Sequence, residues 1–95
     1  MDFSFDRFSA CLNQVFHLKT DNASMDLTLI SVDPHASQAD STPTTAYSLV
    51  FRGAPGAQLP QSMYRFSHAD HGEFELFIVP IGEDDSGVRY EAVFT

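Results

Sequence analysis

Residues 59–95 read LPQSMYRFSHADHGEFELFIVPIGEDDSGVRYEAVFT, and this stretch is the most informative part of the chain about its architecture. It contains three strand-like runs, at 62–68, 73–81 and 88–94, in which apolar and polar residues largely alternate. Two polar breaks with glycine separate these runs and predict tight turns. The stretch therefore predicts a three-stranded antiparallel meander over 62–94.

The register of the first hairpin follows from its side chains. Aromatic residues should meet on the core face and opposite charges on the other face. A slip by one residue would set Phe66 against Glu75 and move a charge into the core. The predicted cross-strand pairs are Phe66 with Phe74, Tyr64 with Leu76, and Arg65 with Glu75.

Two further strands are predicted upstream, at 25–32 and 47–52, from the same alternation. The segment between them, residues 33–45, reads DPHASQADSTPTT and predicts a mobile loop. At the N-terminus the spacing predicts a short amphipathic helix over 4–18, with Ser4 as its N-cap. The apolar stripe of that helix consists of Phe5, Phe8, Leu12, Val15 and Phe16.

These elements predict a single mainly β domain spanning 1–95, with one short N-terminal α-helix. Short strands at close spacing favour a small five- to six-stranded antiparallel barrel or a curled sheet. The run 73–81 is apolar on both faces from Leu76 onward, which is typical of a strand covered on both sides. The N-terminal helix is expected to supply the second cover and to cap the sheet.

Charge and composition exclude several classes of partner. Thirteen acidic residues against five basic ones give a formal net charge of −8, and the basic residues are scattered along the chain. Nucleic acid and anionic membranes require clustered Lys and Arg, so neither is an expected partner. The charge favours solubility, and the alternative is that it meets a basic surface on another protein.

The expected location follows from cysteine usage and from the N-terminal sequence. Cys11 is the only cysteine, so no internal disulfide can form, which fits a reducing compartment. The start, MDFSFDRFS, has no apolar run typical of a signal peptide, and no run approaches the roughly 20 apolar residues of a membrane helix. The expected location is cytoplasmic, unless other machinery carries the chain out on a particle.

The sharpest candidate for metal chemistry is His68-Ala-Asp70-His71. Imidazole and carboxylate suit zinc or another transition metal, but structural zinc usually takes four protein ligands. His17 or His35 would have to fold nearby, and no cysteine joins the run. A solvated turn with Gly72 at positive φ is the favoured interpretation. No metal and no cofactor is therefore assigned, and His68, Asp70 and His71 remain candidates.

The sequence contains no recognisable catalytic motif, and no catalytic residue is assigned. There is no G-x-S-x-G elbow, and Ser67 and His68 point to opposite faces of a strand. Cys11 lies beside the apolar stripe of the predicted helix, which favours a packed thiol over a reactive one. The acidic turn at 83–86 lacks a calcium-loop pattern. Tyr64 and Tyr90 either line a pocket or fill a barrel core, and the core is favoured.

The last third of the chain resembles a small bacterial domain family of unknown function, and the Phe-rich N-terminal start resembles it more loosely. The residues that carry the resemblance are Leu59-Pro60-Gln61, Tyr64-Arg65, Gly72, Leu76-Phe77-Ile78-Val79-Pro80 and Tyr90-Glu91-Ala92-Val93-Phe94. The resemblance implies that the protein is encoded near proteins with phage tail-collar domains. It assigns no catalytic residue. It also implies structural roles, with Pro80 and Gly82 ending a strand and with Tyr90 and Phe94 in a core.

Two functions are therefore expected as alternatives. The first is a non-enzymatic structural or accessory protein of a phage-tail-like or fibre assembly. It would act through contacts with a tail-collar or fibre protein, or with further copies of itself. Free sheet edges in a small acidic β domain would suit such pairing. The second is a small-molecule or metal-binding β domain that uses the His68–His71 turn or an aromatic pocket.

Overall fold

The computed structural model describes residues 5–20, 24–34, 47–56 and 58–94. The side chains of Phe5 and Pro34 are not among the parts described. Its elements in chain order are α1 (Phe5–Ser9), β1 (Val15–Lys19), β2 (Ser24–Pro34), β3 (Tyr47–Gly53), β4 (Ser62–His68), β5 (Gly72–Asp84) and β6 (Gly87–Phe94).

The strands form a closed antiparallel barrel in the order β1-β2-β3-β6-β5-β4. The hairpin of β4 and β5 has the predicted register, with Phe66 opposite Phe74 and Arg65 opposite Glu75. The two Phe rings stack with their centroids 5.8 Å apart. The mainly β, small-barrel prediction is thereby confirmed, and β4, β5 and β6 are consecutive neighbours in the barrel.

The prediction of a helix over 4–18 is wrong for most of its length. α1 ends at Ser9, and residues 15–19 form β1, the strand that pairs with both β2 and β4 and so closes the barrel. Phe16 and Leu18 point inward and are buried, whereas Leu12 and Val15 of the predicted stripe are exposed. Apolar residues in so short a segment satisfy helical and strand spacing equally well, and pairing with β4 decides between them.

The turn between α1 and β1 is held by β2. Asn13 has a φ of 69°, a left-handed conformation that Asn tolerates better than most residues and that prevents the helix from continuing. Asn13 N donates to Leu29 O at 2.7 Å, and Leu29 N donates to Gln14 O at 3.0 Å. This turn therefore has a fixed position against the barrel end.

The expected end of a strand at Pro80 and Gly82 is also wrong, because β5 continues to Asp84. The register of β5 against β6 shifts between Pro80 and Gly82, which is a β-bulge. The shift leaves Ile81, next to Pro80, without a partner in the ladder. Because the ladder is locally disrupted at such a bulge, a proline without an N–H is accommodated beside it. Among the described residues, nothing supplies the predicted second cover for β5, since Phe77 and Ile81 on its outer face are half-exposed.

The barrel interior is filled mostly by aromatic and aliphatic side chains. Phe51 lies 5.5 Å from Phe16 and 5.2 Å from Phe66 between ring centroids, at tilted or edge-on angles that suit aromatic packing. Phe8 from α1 covers one end of the barrel. The buried core consists of Phe8, Cys11, Phe16, Leu18, Leu27, Leu29, Tyr47, Leu49, Phe51, Phe66, Phe74, Leu76, Ile78, Val88, Tyr90 and Ala92.

Several residues that carry the family resemblance hold the segment before β4 in place. The buried Tyr90 hydroxyl accepts a hydrogen bond from Leu59 N at 2.9 Å, and the Tyr64 hydroxyl donates to Pro60 O at 2.7 Å. Burial and the neighbouring Tyr90 raise the pKa of Tyr64, which keeps that hydroxyl a donor. These residues therefore have structural roles.

Tyr90→Phe is expected to lower the free energy of unfolding by about 1–3 kcal/mol, because Leu59 N–H loses its acceptor in a part-buried position. Urea denaturation measures the change. Tyr64→Phe is the matched control, and its loss should be smaller because its hydrogen bond is exposed. Equal stability of Tyr90→Phe and the unaltered protein would contradict the prediction.

Residues 35–45 of the predicted mobile loop lie outside the described residues, whereas Asp33 and Pro34 belong to β2. No helix among the described residues has the length and apolar character needed to cross a membrane.

Candidate functional site

Three side chains that commonly bind metals meet near the turn that joins β4 to β5. They are Cys11, in the turn after α1, His68, the last residue of β4, and His71, in the turn before β5. One ligating atom from each residue lies within 4.8 Å of the others, and Cys11 Sγ is 2.9 Å from His71 Nε2. We refer to these three residues as the thiol–imidazole cluster.

The hydrogen bonds of His68 define its tautomer. Asp70 N donates to His68 Nδ1 at 3.1 Å, so the lone pair of the neutral ring is at Nδ1. His68 Nε2 therefore carries the proton and donates to Gln14 Oε1 at 2.7 Å. The ring also lies 4.6 Å from Phe16 and 4.8 Å from His71 between centroids. Both the orientation and the tautomer of this imidazole are thus held by neighbours.

Burial favours the uncharged forms of His68 and Cys11. It lowers the pKa of His68, and the neighbouring His71 lowers it further, against an opposing effect of the Asp70 carboxylate. Burial also raises the pKa of the Cys11 thiol, as does Asp70, while Arg7 acts in the opposite direction. The thiol is therefore protonated at neutral pH. An activated cysteine nucleophile has a lowered pKa, so this environment does not resemble that of a catalytic thiol.

The sequence-predicted candidates are only partly brought together. His68 and His71 are adjacent, as the turn suggested, and Gly72 has the expected positive φ of 74°. Asp70 is exposed, and it reaches the cluster through its backbone N–H and the charge of its carboxylate. The expectation that no cysteine joins the histidines is wrong, because Cys11 does.

Cys11 lies 60 positions from His71, and no sequence motif links the two. The sequence predicted that the helix continues past Cys11, and this prediction concealed the contact. In the structure α1 ends at Ser9, and the turn that follows brings the thiol over the barrel end. The buried character expected of this residue is correct.

The other histidines do not complete the cluster. His17 lies on the outer face of β1, where Nδ1 is 2.6 Å from the Asp26 carboxylate and both side chains are more than half exposed. His35 lies outside the described residues.

The acidic turn at 83–86 is held by groups of the protein itself. Ser86 N donates to Asp84 Oδ1 at 2.8 Å, and this bond lowers the pKa of Asp84. Arg89 pairs with the other oxygen of the same carboxylate. Gly56 N donates to Glu83 Oε2 at 2.7 Å. These donors account for the carboxylates of Glu83 and Asp84.

A second feature lies on the outside of the barrel. Met63, Phe77, Ile81 and Val93 are each about half exposed, at 55, 49, 50 and 52%. Met63 faces Phe77 across β4 and β5, and Val79 faces Glu91 across β5 and β6. Val93 follows Glu91 by two residues on β6 and so lies on the same outer face as Glu91. We define Met63, Phe77, Val79, Ile81 and Val93 as the outer apolar strip.

A shallow groove borders the strip on the outside of β1, β4 and β5. Its volume is about 490 Å³, and its lining is mostly polar but includes Met63. The remaining lining residues are Lys19, Thr20, Ser62, Tyr64, Arg65 and Glu75. Tyr64 thus contacts this outer groove, while Tyr90 is part of the packed interior. The groove extends the same outer surface as the strip.

Comparison with known proteins gives one family. Residues 3–94 match the model of a family described as "Domain of unknown function (DUF6916)". No curated protein and no solved structure matches the chain.

Proposed function

The chain belongs to this family, whose description assigns no activity, and we propose that it is a non-enzymatic interaction domain that binds a protein partner through the outer apolar strip. The observation that carries the proposal is the half-exposed row of Met63, Phe77 and Val93 across three adjacent strands. The resemblance of the sequence implies a phage-tail-like or fibre assembly as the setting, with a tail-collar or fibre protein as the partner.

The energetics of the strip support a docking role. Single exposed apolar residues are ordinary on protein surfaces, whereas a contiguous row is typical of an interaction site. Burying a whole Phe or Met side chain contributes about 1.5–3 kcal/mol, and about half of that remains to be gained at Phe77 and Met63. A partner that covers the strip would obtain this free energy.

The closed barrel limits how that partner can bind. Each of the six described strands pairs with a neighbour on both sides over part of its length, so none of them is an edge strand of an open sheet. The expectation of pairing through sheet edges is therefore replaced by contact through side chains on the outer face. Such contact requires a partner with a complementary apolar surface.

Charge favours a partner that differs from this chain. Glu91 lies beside Val79 in the register, so a carboxylate borders the strip. Two copies of a chain with net charge −8 repel each other. We therefore expect a partner surface that combines apolar side chains with flanking Lys or Arg. The setting we propose is the cytoplasm or an exported tail-like particle.

The test is capture of the tagged protein from its host, with mass spectrometry of what binds. We expect one stoichiometric partner, weakened at least about tenfold by Phe77→Asp, because a charge at the centre of an apolar interface is desolvated without a pair. Val15→Asp is the matched control, since Val15 is equally exposed but lies on β1.

Two results would contradict the proposal. One is a partner that binds Phe77→Asp and the unaltered protein equally well. The other is the absence of any stoichiometric partner. Concentration-dependent dimers that Phe77→Asp dissociates would instead show that the strip binds a second copy of the chain.

A metal-binding role is the second candidate function, and the observation that favours it is the thiol–imidazole cluster.

A further inference from the structure

We propose that Cys11, His68 and His71 form a binding site for one Zn²⁺ ion at the end of the barrel. The site is separate from the outer apolar strip, so it does not depend on the docking function. It joins the turn after α1 to the turn between β4 and β5, two segments about 60 residues apart in sequence. The bound ion would therefore act as a cross-link within the domain.

The spacing of the three ligating atoms fits one ion after a small adjustment. Zn–S bonds of about 2.3 Å and Zn–N bonds of about 2.0–2.1 Å in tetrahedral geometry put ligand atoms roughly 3.3–3.6 Å apart. The pair Cys11 Sγ and His71 Nε2, now at 2.9 Å, must open by roughly half an ångström to reach that separation. The most distant pair, at no more than 4.8 Å, must close by roughly an ångström. Rotation of the side chains can supply both changes.

The donor set selects the ion. One sulfur and two imidazole nitrogens suit zinc, and they exclude the hard cations Ca²⁺ and Mg²⁺, which take oxygen ligands. On binding, the Cys11 S–H bond breaks, its proton leaves to solvent, and the thiolate bonds the ion. The three protein ligands leave a fourth position, which water fills.

The tautomer of His68 suits ligation of an ion through Nδ1. Its lone pair is at Nδ1, and its Nε2–H donates to Gln14 Oε1, the kind of outer hydrogen bond that holds a ligating imidazole in place. An ion bound at Nδ1 would replace the hydrogen bond that Asp70 N–H now donates to that nitrogen. No change of tautomer would be required. The nearby Asp70 carboxylate adds a negative charge that favours a cation.

The test uses tag-free, reduced, chelator-treated protein titrated with Zn²⁺ in competition with a chromophoric chelator. We expect one equivalent to bind. At a free Zn²⁺ concentration a hundredfold above Kd, Tm should rise by roughly 10–20 °C for a domain of this size. Co²⁺ in place of Zn²⁺ should give tetrahedral d–d bands and a thiolate-to-cobalt charge-transfer band.

Variants distinguish this site from adventitious binding. Cys11→Ser should abolish the charge-transfer band, and both Cys11→Ser and His71→Ala should weaken Zn²⁺ binding at least about a hundredfold. His17→Ala is the matched control, because His17 is exposed and outside the cluster, and it should bind like the unaltered protein.

Circular dichroism of the metal-free variants checks that they fold. If Cys11→Ser does not fold, Zn²⁺ binding by His71→Ala still tests the proposal. No zinc binding at micromolar concentration would overturn the proposal. Binding that persists in a folded ligand variant, or that His17→Ala removes, would also overturn it.

Discussion

Gly87→Ala is expected to destabilise the domain by about 3 kcal/mol or more, a large share of the total stability of a small domain. Gly87 has a φ of 140°, where residues with side chains are strained. A Cβ at this position would lie 1.9 Å from the Gly53 carbonyl oxygen and 3.1 Å from the Gly53 carbonyl carbon. Because the obstacle is backbone of the neighbouring strand β3, a change of rotamer cannot relieve the clash.

Urea denaturation followed by circular dichroism measures this effect. Gly82→Ala is the matched control, because Gly82 lies on the neighbouring strand β5 and a Cβ there meets nothing within 4 Å. The urea midpoint of Gly82→Ala should stay close to that of the unaltered protein. Similar stability for the two variants would mean that β3 and β6 are not so closely packed at this turn.

Phe8→Ala is expected to lower the free energy of unfolding by about 3–5 kcal/mol, the usual cost of truncating a fully buried Phe. Phe8 is 0% exposed and closes one end of the barrel. Its ring lies 5.9–6.4 Å, between centroids, from Phe16, Tyr47, Phe74 and Phe94. A five-residue helix has little stability of its own, so this packing is what holds α1 in place.

Leu12→Ala is the control for Phe8→Ala. Leu12 lies in the turn that follows the same helix and is 43% exposed, so its truncation should cost less than about 1 kcal/mol. Thermal and urea unfolding of both variants provide the comparison. If Phe8→Ala lowers the free energy of unfolding by less than Leu12→Ala does, then Phe8 does not close the barrel end. Since Cys11 follows Phe8 by three residues, Phe8→Ala should also weaken Zn²⁺ binding.

The candidate sites were only partly predictable from sequence. His68 and His71 stand in one short turn, so their proximity could be read directly. Cys11 could not be added to them, because it reaches His71 only through the turn at Asn13 and the contacts of that turn with Leu29. The outer apolar strip depends on three strands in register, and its exposure depends on the absence of a covering helix over Phe77 in the described structure.

Sequence alone determined the mainly β class and the register of the β4–β5 hairpin. Both depend on neighbouring residues: alternation sets the faces of a strand, and a short turn limits which residues can pair. Only the tertiary structure decided that residues 15–19 are a strand, that β5 passes through Pro80 on a bulge, and that Cys11 meets the two histidines. These features depend on contacts between distant segments, whose free energy outweighs the weak local preferences of a short run of residues.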